Sequence, residues 1–153
     1  MRKPTVQAFM TIGPVVIAPE RTLADAHRLM RERGIRHLPV VDAGALVGVV
    51  SQRDLYLLET LRGVDPEQER VREAMTPEPF AVPPDASLDE VAEHMAEHRL
   101  GSAMVVDRGV VIGLFTTVDA LRALAALVRR RGARPARNPP REPPAGVAGR
   151  PGR

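Results

Sequence analysis

The sequence predicts an α/β fold built from two copies of a β-α-β-β-α unit, followed by a disordered tail. Three observations lead to this prediction. The chain aligns with itself without a gap when displaced by 65 positions, each copy alternates between helical and strand spacing of its apolar residues, and the pattern stops after Val128. The predicted organisation is a first copy over 6–61, a connector over 62–70, a second copy over 71–128 and the tail over 129–153.

The displacement places identical residues on one another along most of the chain. The matched sets are Met10-Thr11 with Met75-Thr76, Val40-Val41-Asp42 with Val105-Val106-Asp107, Gly48 with Gly113, and Asp54 with Asp119. Chance rarely preserves such a register, so the two copies represent a duplicated unit.

Each copy begins with a short extended run and a helix. The runs, which end at a proline, are Val15–Ile17 and Phe80–Val82. Each helix is predicted to open with a capping box, in which a hydroxyl residue and an acidic residue three positions later bond to each other's backbone N–H groups. The two boxes are Thr22 with Asp25 and Ser87 with Glu90. Apolar residues at helical spacing continue the helices: Leu23, Ala26 and Met30, then Leu88, Val91 and Met95.

The second half of each copy is predicted to be a β-hairpin followed by another helix. The strand segments are Leu38–Val41 and Ala45–Val50 in the first copy, and Ala103–Val106 and Val110–Phe115 in the second. The turns are Asp42-Ala43-Gly44 and Asp107-Arg108-Gly109, and the helices start near Ser51 and Thr116. Apolar residues surround the last helix over Val118–Val128, which predicts that another subunit buries its second side.

Composition narrows the possible functions. The chain has no cysteine, which excludes disulfides, thiolate chemistry and zinc sites that need cysteine. With one tyrosine, three phenylalanines and no tryptophan, we expect an aliphatic core and no aromatic platform for nucleic-acid bases. No apolar stretch approaches the ~20 residues needed to span a bilayer, so we expect a cytoplasmic protein without membrane association.

Positive charge is concentrated at the end of the chain. Residues 129–153 carry eight arginines and one acidic residue, Glu142, although the whole chain has a formal net charge of only +3. Arginine and proline with little apolar surface to bury predict disorder. Such a tail either solubilises the protein or binds nucleic acid or an acidic partner electrostatically, and the lack of aromatic residues among the arginines favours the first interpretation.

Two segments of each copy resemble the signatures of the CBS domain family, named for cystathionine β-synthase. The segments are Gly34–Asp42 and Gly48–Leu55, then Gly101–Asp107 and Gly113–Asp119, and the resemblance covers roughly residues 6–125. It implies two motifs packed about a pseudo-two-fold axis, with two clefts that commonly hold AMP, ADP, ATP or S-adenosylmethionine. It also implies a homodimer and a regulatory, non-enzymatic role, in which the nucleotide is a regulatory ligand that alters an effector protein and no cofactor is needed.

The resemblance also implies roles for individual residues. The implied phosphate contacts are Ser51 and Thr116, and the implied ribose contacts are Asp54 and Asp119. The base is expected near Val15, Ile35 and Pro39 at the first site, and near Phe80, Leu100 and Met104 at the second. A hydroxyl at a helix start leaves N–H groups free for phosphate, and a carboxylate one turn later can accept both hydrogen bonds of a ribose diol.

The two implied sites differ in charge. The first is surrounded by Arg36, His37 and Arg53, whereas the counterparts in the second copy are uncharged: Gly101, Ser102 and Val118. Because a di- or triphosphate needs neutralisation, we expect the first site to bind phosphate better.

Simpler interpretations remain open. A hydroxyl residue followed three positions later by aspartate is also a capping pattern that needs no ligand. His94 and His98 could face one metal ion, but a charge-rich helix face is normally solvated, so no metal site is predicted. No arrangement of nucleophile and base calls for catalysis. Two alternatives to ligand sensing are a dimeric interaction protein whose clefts bind nothing and a nucleic-acid-associated protein acting through its tail.

Overall fold

The computed structural model of the chain describes residues 2–132 and contains both predicted units in a mixed α/β fold. A short 3-10 helix, Val6–Ala8, comes first. The first half forms β1 (Thr11–Ile12), α1 (Leu23–Arg33), β2 (His37–Asp42), β3 (Ala45–Ser51) and α2 (Gln52–Glu59). The second half forms α3 (Val71–Ala74), β4 (Thr76–Pro77), β5 (Ala81–Val82), α4 (Leu88–Glu97), β6 (Ser102–Asp107), β7 (Val110–Thr116) and α5 (Thr117–Gly132).

The two long hairpins form where the turn residues predict them. Strand β2 pairs with β3 and β6 pairs with β7, both antiparallel, and each connection is a two-residue loop. Every residue of these loops, Ala43-Gly44 and Arg108-Gly109, has a positive φ, between 49° and 84°. Two consecutive positive φ values are typical of the type I′ turn, whose twist matches that of the strands it joins.

Each half surrounds its own apolar core, and each core also holds a valine from the start of the other half. Val71, which opens α3, lies in the core formed by α1, α2, β2 and β3. Val6 lies in the core formed by α4, α5, β6 and β7. Both valines are fully buried, so the two halves are joined through their cores as well as through the connector.

The two halves also exchange short strands between their sheets. The first sheet has the order β1-β7-β6-β5 and the second the order β2-β3-β4. Strand β1 therefore pairs with the hairpin of the second half, with Thr11 opposite Leu114, and β4 pairs with the hairpin of the first half, with Thr76 opposite Val49. The exchange places each of these threonines beside the end of the other half's hairpin, where a helix begins.

Glycines in the hairpins make room for the exchanged segments. A Cβ at Gly48 would lie 2.7 Å from the Met75 sulfur and 2.9 Å from the Thr76 carbonyl oxygen. A Cβ at Gly113 would collide with the Met10 sulfur and lie 3.1 Å from the Thr11 carbonyl oxygen. These glycines permit a close approach of protein segments to one another.

Three local predictions need correction. The run Val15–Ile17 is not a strand, because only Ile17 pairs with β2, through an isolated bridge to Val40. Ser87 does not form the predicted box with Glu90, since its hydroxyl bonds to the Asp89 carboxylate instead. Helix α5 continues to Gly132, beyond the predicted start of the tail, because arginines in a last turn interact favourably with the helix dipole. The rest of the predicted tail, 133–153, lies outside the described residues.

Candidate functional site

A cleft of about 1100 Å³ lies where the two halves meet. The first half contributes the start of β2 and the β3–α2 turn, and the second half contributes β4, the approach to β5, the end of α4 and the start of β6. The lining includes Arg36, His37, Ser51, Arg53, Asp54, Thr76, Glu78, Phe80, His94, His98, Arg99, Leu100, Gly101 and Ser102. The cleft is therefore shared between the two halves.

The β3–α2 turn presents a carboxylate to this cleft. The Ser51 backbone N–H donates to Asp54 Oδ2 at 2.8 Å, and the Asp54 backbone N–H donates to Ser51 Oγ at 3.1 Å, which completes the capping box. No other hydrogen bond from residues 2–132 reaches the half-buried Asp54 carboxylate, so Oδ1 remains available as an acceptor. Capping and ligand binding are compatible at this aspartate.

The positive side chains of the cleft are arginines. Arg36, Arg53 and Arg99 are all exposed and line its walls. The carboxylates that line it are Asp54 and Glu78. The cleft thus carries an excess of positive charge, which suits an anionic ligand.

His37 packs where the halves touch. Its Nε2 lies so close to the backbone of Gly101 that a Cβ there would be 2.7 Å away, and only glycine avoids this collision. Burial lowers the pKa of His37 from its ordinary value of 6.5; Asp54 opposes this shift and Arg36 adds to it. At neutral pH the imidazole is therefore uncharged, and it offers one hydrogen-bond donor and one acceptor.

Three stacked rings form part of the second half's wall. The ring centroids of Phe80 and His94 are 4.1 Å apart, as are those of His94 and His98, with interplanar angles of 24° and 23°. The i, i+4 spacing of the two histidines is visible in the sequence, but the position of Phe80 beside them is not. Within residues 2–132 no cluster of three or more histidine, aspartate or glutamate side chains is arranged to hold a metal ion.

The structure does not group the predicted site residues into the two sites that the resemblance implies. One cleft collects Arg36, His37, Ser51, Arg53 and Asp54 from the first predicted site together with Phe80 and Leu100 from the second. The remaining base-contact candidates lie elsewhere: Val15 packs on the first core, Ile35 lines a separate groove, and Pro39 and Met104 are buried within their strands. Met104 has no exposed surface, so it offers a ligand nothing to contact.

The equivalent turn in the second half encloses its carboxylate. Thr116 donates to Asp119 Oδ2 from its backbone N–H at 2.9 Å and from its hydroxyl at 3.2 Å. The Thr11 hydroxyl lies 3.4 Å from both carboxylate oxygens, and Arg122 lies 3.7 Å from Oδ1. Asp119 is 4% exposed, so this carboxylate is occupied by the protein's own donors.

Fold and cleft together define a class of protein in which two duplicated α/β motifs share a cleft between them. The family model of the CBS domain matches residues 6–58 and 71–126. The chain belongs to the CBS domain family, as a tandem pair. Across residues 2–132, no helix is both long and apolar enough to cross a membrane.

Two relatives illustrate where similar chains occur. The chain is 34% identical over 114 residues to an inosine-5'-monophosphate dehydrogenase of Korarchaeum cryptofilum, a match covering 74% of this chain and 23% of that protein. It is 30% identical over 115 residues to the CBS domain-containing protein YhcV of Bacillus subtilis, covering 75% of this chain and 81% of YhcV. The chain thus spans under a quarter of the first relative and most of the second.

A solved structure resembles the whole described fold. CBSX2, a CBS-pair protein of Arabidopsis thaliana, has been solved in complex with AMP. The two chains superpose with a TM-score of 0.69 at 32% identity, covering 82% of this chain and 98% of CBSX2.

Proposed function

We propose that this chain is a regulatory module that binds an adenine nucleotide in the cleft between its motifs and signals to an effector protein through a change of conformation. The observation that carries the proposal is Asp54, whose carboxylate lines the cleft and keeps one oxygen free of hydrogen bonds from residues 2–132. The AMP held by CBSX2 supports an adenine nucleotide as the ligand. The match to part of a dehydrogenase supports a regulatory role beside a catalytic domain.

The residues around the cleft can supply each contact that a nucleotide needs. The free oxygen of Asp54 accepts hydrogen bonds from a ribose diol, and Ser51 lies at the positive end of α2, where a phosphate is favoured. Phe80 and Leu100 provide apolar surface for the base. By contrast, the enclosed carboxylate of Asp119 makes a second, equivalent site a poor acceptor for ribose.

A ligand in this position can act on the relative placement of the two halves. The ribose contact at Asp54 and the helix start at Ser51 come from the first half, and the apolar surface for the base comes from Phe80 and Leu100 of the second half. A ligand that binds one relative placement better than another shifts the population toward it by the difference in binding free energy. An effector that contacts both halves can detect that shift.

A second copy of the chain is proposed as one partner. On α5 the side chains of Val118, Leu121, Leu124 and Val128 are 53–65% exposed and recur along one face of the helix. An apolar stripe of this kind is typical of an interface. We expect a homodimer that Leu121→Asp converts to monomer in size-exclusion chromatography with light scattering, whereas Val110→Asp, at an equally exposed position outside α5, leaves it intact.

Calorimetric titration tests the nucleotide site. AMP, ATP, S-adenosylmethionine and NAD are titrated into wild type, Asp54→Ala and Asp25→Ala. Asp25 closes the same kind of capping box with Thr22 but lies outside the cleft, so it controls for the loss of a helix cap. We expect Asp54→Ala to weaken nucleotide binding at least about tenfold, as the loss of a charge-assisted hydrogen bond predicts, and Asp25→Ala to leave it unchanged.

Two results would count against the proposal. Unchanged binding in Asp54→Ala would remove the assigned ribose contact. No heat with any of the four ligands, together with an intact dimer, would favour the interaction protein that the exposed face of α5 also supports.

A further inference from the structure

We infer that the cleft selects nucleotides by their number of phosphate groups, binding a nucleoside di- or triphosphate more tightly than AMP or S-adenosylmethionine, with Arg99 as the specificity-determining residue. The inference rests on the proposed function, because it specifies the ligand class of the same cleft. Three observations lead to it: backbone strain at the cleft, unpaired arginines and the size of the cleft.

Two charged residues at the cleft have backbone conformations that favour glycine. Arg99 has a φ of 54° and Glu78 a φ of 50°, and both line the cleft. The equivalent positions of the first half hold Gly34 and Gly13, each with a φ of 63°. A residue with a side chain is disfavoured in this region, and such strain concentrates at functional sites. At both positions the second half therefore places a charge at the cleft despite the strain.

The end of α4 holds Arg99 in place. The Leu100 N–H donates to the Met95 carbonyl at 2.8 Å, and the Arg99 N–H donates to the Ala96 carbonyl at 3.3 Å. This is the hydrogen-bonded ending that a left-handed residue gives to a helix. The backbone at Arg99 is thus fixed by the helix end, while its exposed guanidinium remains available to a ligand.

Within the described part of the chain, arginines from three separate elements line the cleft without acidic partners. Arg36 precedes β2, Arg53 lies in the first turn of α2, and Arg99 follows α4. None of the three forms an ion pair within residues 2–132, although arginines on other surfaces pair with Asp25 and Glu20. Each guanidinium can bind phosphate oxygens through two N–H groups at once.

The balance of charge and space favours additional phosphates. With Asp54 assigned to the ribose, Glu78 is the carboxylate left on the cleft wall to oppose the three arginines. Each further phosphate adds negative charge, whereas S-adenosylmethionine has no phosphate and carries a sulfonium cation. The cleft, at about 1100 Å³, also exceeds the ~300–1,000 Å³ that small-molecule sites usually occupy, which leaves room for a phosphate chain.

Two matched glycine substitutions test the selection. Arg99→Gly removes the cleft guanidinium, and Arg108→Gly removes an exposed arginine with a φ of 50° from the β6–β7 loop, outside the cleft. Both variants relieve a strained backbone, so both should unfold at a higher temperature than wild type. A measured increase in unfolding temperature excludes misfolding as a cause of lost binding. ATP, ADP, AMP and S-adenosylmethionine are titrated calorimetrically into all three proteins at about 0.15 M salt.

We expect wild type to bind ATP about tenfold more tightly than AMP, a ratio that one charge-assisted phosphate contact can supply. Arg99→Gly should lower the affinity for ATP about tenfold while the affinity for AMP changes less than about twofold, and Arg108→Gly should change neither. Equal affinities for AMP and ATP in wild type, or an unchanged ATP affinity in Arg99→Gly, would overturn the selection but leave the nucleotide site standing. Tighter binding of S-adenosylmethionine than of ATP would also overturn it. A wild type that binds no nucleotide would refute the proposed function and this inference together.

Discussion

The turn from β3 into α2 and the turn from β7 into α5 share the same capping pattern but have different neighbours. Each closes a capping box, Ser51 with Asp54 in the first half and Thr116 with Asp119 in the second. Asp54 is half-buried on the wall of the cleft, whereas Asp119 is 4% exposed and in contact with the Thr11 hydroxyl.

Neighbours outside the capping pattern account for this difference. The exchanged strand β1 brings Thr11 onto the carboxylate of Asp119, and Arg122 lies beside it. In the first half, Thr76 and Leu57 hold the equivalent positions, and neither donates a hydrogen bond to Asp54. The capping pattern therefore specifies the start of a helix, and the surroundings decide whether the carboxylate remains available to a ligand.

The largest expected difference between the halves concerns the glycines beneath the exchanged strands. Gly48→Ala should lower the free energy of unfolding by about 3 kcal/mol, because the new methyl group would meet the Thr76 carbonyl oxygen. Gly113→Ala should cost less, because the Thr11 carbonyl oxygen is 3.1 Å from the new methyl group whereas the Thr76 carbonyl oxygen is 2.9 Å from it at Gly48. At both positions the nearest atom is the sulfur of a flexible methionine side chain, which can move. Urea denaturation measures both values. Equal losses would mean that the difference in distance to the two carbonyl oxygens has no effect on stability.

The aspartates should differ in their contribution to stability. Asp119→Ala should lower the free energy of unfolding by about 2 kcal/mol, because it removes the cap and leaves the hydroxyls of Thr11 and Thr116 without their acceptor. Asp54→Ala should cost about 1 kcal/mol, the usual value of a cap alone. Thermal and urea unfolding without ligand test this order, and a larger loss in Asp54→Ala would contradict it.

The helix caps of α1 and α4 should differ by a smaller amount. Thr22→Ala should cost about 1 kcal/mol, because the Thr22 hydroxyl accepts from the Asp25 backbone N–H at 3.1 Å. Ser87→Ala should cost less than about 0.5 kcal/mol, as for an ordinary surface substitution, because the Ser87 side chain accepts no capping hydrogen bond. Chemical denaturation of the two variants distinguishes them, and similar losses would show that Ser87 caps α4 in solution.

A final difference is the response to pH at equivalent positions 37 and 102. Burial lowers the pKa of His37 below 6.5, so protonation favours the unfolded chain. The stability that depends on neutral His37 is complete above pH 6.5 and decreases as the pH falls through the pKa of the folded state. Unfolding free energies measured between pH 7 and about 5 should fall less steeply in His37→Gln than in wild type, while Ser102→Ala keeps the wild-type slope. An unchanged slope in His37→Gln would assign the pH response to other groups.

Elements with strong local signals could be predicted, and those without them could not. The hairpins followed from their turn residues, and α1 followed from its apolar spacing and from the box between Thr22 and Asp25. The box predicted between Ser87 and Glu90 was wrong because a nearer carboxylate, Asp89, takes the hydroxyl. The strand predicted over Val15–Ile17 was reduced to one bridge, because β-propensity does not provide a partner strand.

The duplication, the order of the long elements and the grouping of charged residues of the first half at one site could all be predicted from the sequence alone. The exchange of β1 and β4 between the halves, the position of Phe80 and Leu100 in the same cleft as Asp54, and the enclosure of Asp119 became visible only in the folded chain. The difference is one of range. Periodicity, caps and turns act between residues a few positions apart, whereas a two-residue strand has no period of its own and is stabilised by pairing and burial against a segment from the other half of the chain.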